Sequence, residues 1–533
     1  MNLQTYPAPS RRSVLLADHG VVATGQPLAA QAGLGMLLAG GNAVDAAIAT
    51  AAALTVLEPN SNGLGSDAFA LVWDGQRLHG LNGSGRWPQA MSAAALREAG
   101  HTAVPNWGWS GVTVPGAVDV WHTLHERFGR LPIDRVLAPA IDYAEQGFPV
   151  SPVVATMWRQ AFDTYGTSTD PALTGWRQTF TRQGQTPEAG QRWISPGHAR
   201  GLKLLADHGL RDFYQGQIAE ELVNYSRHTG GRLSRDDLAD HHSEWVEPIS
   251  IRYRDCEVWE IPPNGQGIAA LIALGLIDGS LAEHDYLSVD HWHRQIEAMK
   301  LGFADGYRYV ADPAHSEVPA AGLLDPAYLA ERRRLIGDTA RQPEPGRPPS
   351  GGTVYLCAAD RAGMMVSFIQ SNYMGFGSGV VVPDLGLSLQ NRGAGFTLQQ
   401  GHPNEAAPGK RPRHTILPGF LTRNGQALGP FGVMGGEMQP QGHLQVVSAM
   451  LDYGLNPQAA LDAPRWQLGG GLEVRVEPET PTGLIDALRA KGHQITVADH
   501  RYDFGRGQII VRLDNGSYAA GSEPRTDGAA VGW

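Results

Sequence analysis

The sequence predicts an α+β fold of four layers, αββα, with two β-sheets face to face between two layers of helices. Three observations lead there. Segments that are apolar on nearly every side, such as 43–57 and 268–277, suit helices buried between layers. Beyond residue 353 the texture changes to short alternating strands joined by Gly- and Asn-rich turns, the mark of hairpin-built sheet. Amphipathic helices such as 289–309 then have one face to bury, and a sheet is what they can cover.

Each element follows from local pattern. Residues 21–57 read as two helices separated at Gly40-Gly41, the second capped by Asn42 with Asp45 three residues on. A Gly/Asn turn at 60–66 precedes a strand over 68–73 and a hairpin at Asp74-Gly75. Helical periodicity returns after Val114-Pro115-Gly116, and 133–146 is a helix ended by Gly147. Residues 192–223 are helical with breaks, and Ser234 caps a short helix over 233–238. Residues 249–261 alternate as one strand, Pro262-Pro263-Asn264-Gly265 turns, and helices over 268–277 and 289–309 follow. After residue 353, strands at 354–359 and 364–370 pair across 360–363, a Gly-rich loop leads to 380–382, and another pair surrounds Asn424-Gly425. The strand 429–434 ends at Gly435-Gly436, before a helix over 441–455.

Composition excludes several classes of function. A chain of 533 residues with 42% hydrophobic and 18% charged residues has ample core, enough for about three domains or one large one. Its net charge of −11 gives a nucleic-acid partner no electrostatic support. Two cysteines, Cys256 and Cys357, build no disulfide framework and suit a reducing compartment. Cys357, on a strand, reads as a small buried hydrophobe. The apolar run 13–17 is too short for a signal peptide, and no run of apolar residues is long enough to span a membrane. A cytoplasmic protein without membrane or nucleic-acid partners is expected. His291 and His293, at i and i+2, point to different sides of a helix and chelate poorly, so neither a metal nor a cofactor is expected. His241-His242 reads as a solvated turn. No Gly-x-Ser-x-Gly is present, and Gly409-Lys410 is followed by Arg, which excludes a P-loop.

One stretch carries chemistry. Residues 338–352 are rich in Pro, Gly, Gln and Arg, and Gly351-Gly352 delivers this linker onto a strand that begins with Thr353. One reading is a Gly352-Thr353 bond that the protein cuts itself. The new N-terminal Thr353 would then hold a nucleophilic hydroxyl and, in its α-amine with a pKa of about 7.7–8.0, a base. The other reading is an ordinary Gly-rich linker before a strand. Gly435-Gly436, between a strand and a helix, offers bare N–H groups of the kind that hold a developing oxyanion, or is a simple turn.

Together these residues resemble a known family. The order is Gly351-Gly352-Thr353, Ser371-Asn372-Tyr373, Phe376-Gly377-Ser378-Gly379, Asn391, Lys410-Arg411-Pro412 and Gly435-Gly436. It is similar to the γ-glutamyltransferase family of N-terminal-nucleophile hydrolases. The blocks Gly40-Gly41-Asn42-Ala43-Val44-Asp45-Ala46-Ala47, Phe213-Tyr214-Gln215-Gly216 and Asp452-Tyr453-Gly454-Leu455-Asn456 extend the resemblance over almost the whole chain. It implies the αββα fold of that class and a precursor cut before Thr353 into fragments 1–352 and 353–533 that stay intertwined as one structural domain. Thr353 would be nucleophile and base, Ser371 would stand where the family has a Thr bonding the nucleophile, and Gly435 and Gly436 would form the oxyanion hole.

The departures concern the substrate. Where the γ-glutamyl enzymes hold an α-amino group with Asn, Gln and an acidic residue, this chain resembles them only in position, with Tyr373, Arg392 and Gly395. His414-Thr415 replaces a Ser-Ser pair. Ser84 stands where the family has its carboxylate-binding Arg, with Arg86 two residues before Pro88. Arg392 beside an ammonium would be repulsive, so an acyl group with a carboxylate and no amine fits better. Arg392, with Arg86, Arg413 or His414, could clamp it, since planar guanidinium suits bidentate carboxylate binding. The expected activity is hydrolysis of a small-molecule amide, of the oxamate type. A glutaryl-type cephalosporin acylase and a glutathione hydrolase or γ-glutamyltransferase are alternatives within the family, and a catalytically silent binding member of the fold is one outside enzymes.

Overall fold

The computed structural model describes residues 1–10, 12–342 and 352–533. The linker read over 338–352 therefore falls largely on residues outside that set. Two seven-stranded antiparallel sheets form the centre. In one, the strand order is Ala529–Gly532, Gly20–Thr24, Gly352–Asp360, Met365–Tyr373, Asp67–Trp73, Leu78–Asn82 and Glu244–Val246. In the other it is Leu15–Ala17, Tyr518–Ser522, Arg506–Arg512, Gln426–Met434, Gly419–Arg423, Cys256–Glu260 and Ile249–Tyr253.

Strand periodicity produces the layers. Along Gly352–Asp360, Val354, Leu356 and Ala358 turn outward onto the helix Ala43–Leu57. Tyr355, Cys357 and Ala359 turn inward, into a core shared with Phe69, Phe420, Met434 and Ile510 of both sheets. The second sheet buries its other face, including Val258, Leu421, Phe431 and Val433, under helices Gly267–Ile277, Val289–Tyr309 and Met438–Leu451. This is the four-layer αββα arrangement. Both strands that lead into the site, Gly352–Asp360 and Gln426–Met434, lie near the middle of their sheets.

The local readings hold where a cap or period decides them. Asn42 and Asp45 form a reciprocal capping box at the start of Ala43–Leu57, all of whose residues are buried. Helices Ile133–Gln146 and Val289–Tyr309 have the boundaries the periodicity gives. Four readings are corrected. Residues 20–24 form a strand rather than helix, because they pair with both Gly352–Asp360 and Ala529–Gly532. Residues 249–261 form a hairpin, turning at Arg254 with φ 58, rather than one strand. The helix before residue 455 starts at Met438 and ends at Leu451. His241 is buried and stacked on Tyr214 with ring centroids 5.4 Å apart, not solvated. Cys256 and Cys357 are buried free thiols. No helix among the described residues is long and apolar enough to cross a membrane.

Candidate active site

Thr353 lies on the inward face of its strand, with Tyr355 and Cys357, and is fully buried. Strand pairing is irregular at this point: Gly352 lies opposite Tyr373, whereas Val354 lies opposite Gln370. The extra residue of the partner strand bends it locally, as bulges beside active sites do. Ser371 Oγ comes 3.0 Å from Thr353 Oγ1 and accepts the Tyr373 N–H at 2.8 Å. Tyr373 has φ 77, a left-handed conformation that a bulky residue rarely adopts. A second side chain reaches the same hydroxyl: Gln439 Nε2 stands 3.5 Å from Thr353 Oγ1.

Gly435 and Gly436 follow the strand Gln426–Met434 and precede the helix Met438–Leu451. Their φ values, 134 and 63, suit glycine. A Cβ on Gly435 would also meet Gly505 Cα at 3.2 Å. The two carbonyls accept from the N–H groups of Met438 and Gln439, and the Gly436 carbonyl accepts from Gln266 Nε2 as well. Among the described residues, no group takes up either glycine N–H. Two free donors at a helix N-terminus can hold an oxyanion.

Arg392 is 1% exposed, in the short turn Arg392–Gly395. Its Nη1 donates to Thr415 Oγ1 at 2.7 Å, and its guanidinium lies 4.8 Å from the centre of the Tyr373 ring. Nε and Nη2 are buried without a partner among the described residues. Burial pulls this guanidinium down to about 10, against the attraction of Asp67, Tyr373 and Glu437. Unsatisfied donors on a buried cation are expensive, and an anionic ligand would satisfy them.

The other residues singled out in the sequence are already engaged. Arg86 is 38% exposed and donates from Nη2 to Glu244 at 3.0 Å, while its Nη1 has no partner among the described residues. Arg413 is buried and donates to both Glu437 and Gln266 Oε1, with Tyr307 against its face at 4.5 Å. Burial pulls the Arg413 guanidinium down, and Glu437 beside it more than reverses that, so it stays firmly charged. His414 Nδ1 accepts the Ile416 N–H at 3.3 Å, so Nε2 carries the proton and donates to Asp67 at 3.1 Å. Burial, then Arg392 and Arg413, keep this imidazole neutral. Thr415 contributes its hydroxyl to Arg392 and its carbonyl to Gln266 Nε2. Gln266 thereby joins Arg413, Thr415 and Gly436 into one scaffold. Asp67, Gln266, Glu437 and Gln439 were not singled out in the sequence. Only Gln439, one turn past Gly435-Gly436, had a local signal that could have marked it.

One cluster outside this site has donor atoms within 4.8 Å of one another: His293, Glu297 and His493. His293 Nδ1 and His493 Nε2 are 2.8 Å apart, His293 Nε2 reaches the Gly337 carbonyl at 2.8 Å, and Lys300 donates to Glu297 at 2.7 Å. These bonds occupy the cluster and tie both Gly337 and His493 to His293 on the helix Val289–Tyr309. The ring partner of His293 lies 200 residues away, outside the local spacing that the sequence reading weighed against His291.

A family model described as gamma-glutamyltranspeptidase matches residues 29–533. The crystal structure of a cephalosporin acylase from Bacillus halodurans superposes with a TM-score of 0.94 at 53% identity, covering 100% of this chain and 99% of that one. The glutathione hydrolase-like YwrD proenzyme of Bacillus subtilis is 36% identical over 515 residues, 95% of this chain and 97% of that protein. The oxamate amidohydrolase proenzyme of Klebsiella pneumoniae is 34% identical over 533 residues, 97% of this chain and 99% of that protein.

Proposed function

The chain belongs to the gamma-glutamyltranspeptidase family, and on that basis we propose that it is a self-processing amidohydrolase removing a small, carboxylate-bearing acyl group from an amide through Thr353. The observation that carries the substrate class is Arg392, a buried cation with two unpartnered donors. Because Arg86 and Arg413 are held by Glu244 and Glu437, the clamp narrows to Arg392 with Thr415 and Tyr373 beside it.

In the uncut chain the Thr353 hydroxyl attacks the Gly352 carbonyl carbon. The peptide C–N bond breaks, the nitrogen takes the hydroxyl proton, and an ester joins Gly352 to Thr353 Oγ1. Water hydrolyses that ester, leaving a carboxylate on Gly352 and a free α-amine on Thr353. In the processed enzyme this amine accepts the hydroxyl proton as Oγ1 attacks the substrate carbonyl. The Gly435 and Gly436 N–H groups stabilise the oxyanion, and Ser371 and Gln439 hold Oγ1 in line. The amine then protonates the leaving nitrogen, and water releases the acid from Thr353.

Full enclosure of both Thr353 and Arg392 favours the shortest acyl groups, with oxamate as the smallest carboxylate-bearing amide. The 53% identity to a cephalosporin acylase favours a second reading, a glutaryl-type acyl group on a larger amine. The test has two parts. Denatured protein should run as two fragments, the smaller beginning Thr-Val-Tyr-Leu, and Thr353→Ala should stay whole and inactive. A panel of oxamate, glutamine, glutathione and glutaryl amides should then give fastest release of the leaving amine or ammonia from the carboxylate-bearing amides lacking an α-amine. A fully active protein that remains uncut refutes the nucleophile assignment, and fastest turnover of glutathione refutes the substrate class.

A further inference from the structure

Asp67 is a carboxylate that this chemistry leaves unused. It opens the strand Asp67–Trp73, lies directly across from Ser371, and is fully buried. Its Oδ2 accepts from the Gly85 N–H at 3.2 Å and from His414 Nε2 at 3.1 Å, and its Oδ1 from the Gly116 N–H at 3.1 Å. All three donors are neutral. Arg392 stands behind the same pair of residues: His414 donates to Asp67, and the next residue, Thr415, accepts from Arg392 Nη1 at 2.7 Å. Arg392 is accordingly the cation that acts on Asp67 most strongly, followed by Arg411, while Tyr214 also feels Asp67, from the helix Asp212–Gln215. Arg392 in turn feels Asp67 ahead of Tyr373 and Glu437. A buried carboxylate and a buried guanidinium thus compensate each other without a hydrogen bond between them, and the open donors of Arg392 remain available.

We propose that Asp67 is the internal counter-charge of Arg392, and that a substrate carboxylate docking on Arg392 takes over that role while Asp67 gains one proton from solvent. This rests on the carboxylate reading of Arg392. Two carboxylates near one guanidinium in a desolvated site disfavour simultaneous ionisation. Burial already holds Asp67 up at about 7 in the empty site, so an added anion drives it further up. Below pH 7 Asp67 is neutral and Arg392 is ready for an anion. Above that, affinity for the carboxylate falls tenfold per pH unit, or about fiftyfold between pH 7 and 9. Asp67 is a positioning residue, acting on the substrate through Arg392.

The test uses the processed enzyme with oxalate as probe. Infrared difference spectra at pH 8, recorded with carbon-13-labelled oxalate to move the ligand's own bands, should show a protonated carboxyl appearing on binding. Asp67→Asn should lack that band, should take up close to one proton fewer per oxalate by calorimetry in buffers of different ionisation enthalpy, and should lose the rise in KM above pH 7 while the pH course of kcat stays. No carboxyl band in the wild type overturns the proposal, whether or not Asp67→Asn folds. If Arg392→Gln leaves oxalate affinity unchanged, the carboxylate reading fails and this proposal falls with it. An intact Arg392 effect without proton uptake overturns the role of Asp67 alone.

Discussion

Replacing Arg392 by Gln is the sharpest perturbation of the substrate assignment. One of its donors is spent on Thr415 at 2.7 Å, and Nε and Nη2 stay free for a substrate carboxylate. A hydrogen bond to a charged group contributes about 1.5–3 kcal/mol. At 1.36 kcal/mol per decade, that is roughly one to two decades in kcat/KM on a carboxylate-bearing amide. Self-cleavage should persist, because it involves Thr353, Ser371 and their immediate neighbours. The assay compares that amide with an uncharged amide of matched size. Loss on the charged substrate alone assigns Arg392 to recognition; equal loss on both, or failure to self-process, refutes the reasoning. The variant should carry a second signature. Asp67, deprived of the cation that acts on it most strongly, has its pKa raised further above that of the unfolded chain. The folded state then binds more protons than the unfolded one, so stability is present at low pH and is lost as pH rises. The melting temperature of Arg392→Gln should therefore drop more steeply than wild type between pH 7 and 9.

Other substitutions separate the remaining roles. Ser371→Thr should keep self-cleavage and activity, whereas Ser371→Ala, which removes the partner of both Thr353 and the buried Tyr373 N–H, should lower kcat by roughly one decade, about 1–2 kcal/mol, in steady-state assays. Gly435→Ala should lower kcat by about 10²–10³, the effect of losing one oxyanion donor, because its φ of 134 is strained for Ala and its Cβ would crowd Gly505. Glu437→Gln strands Arg413 as a buried unpaired charge and should destabilise the fold by about 3–5 kcal/mol in denaturant titration. Glycylglycine should not accelerate release of the leaving amine, since water is the proposed acyl acceptor; a large acceleration would restore the transferase reading.

Thr353 was legible because its signal is local: a Gly-rich leader, a hydroxyl, then a strand whose alternation sets which face the hydroxyl takes. Gly435-Gly436 and the capping box at Asn42 were legible for the same reason. The proposed clamp was not, because four candidate side chains near the expected pocket differ only in what lies opposite them in space. Arg413 meets Glu437 24 residues on, and Arg86 meets Glu244 158 residues on. His414 meets Asp67 347 residues away, a partner no window of sequence contains. Arg392 is set apart by lacking such a carboxylate bonded to it, and a missing contact leaves no sequence pattern at all. The fold supplies the discrimination by burying Arg392, Arg413 and His414, where water cannot satisfy an orphaned donor, while Arg86 stays partly exposed. On the proposed reading of Arg392, a cation left with two open donors is costly to the empty enzyme, and an anion that binds recovers the cost. Stability of the free protein and preference for a carboxylate would then be opposed at Arg392, and the role proposed for Asp67 would moderate that opposition.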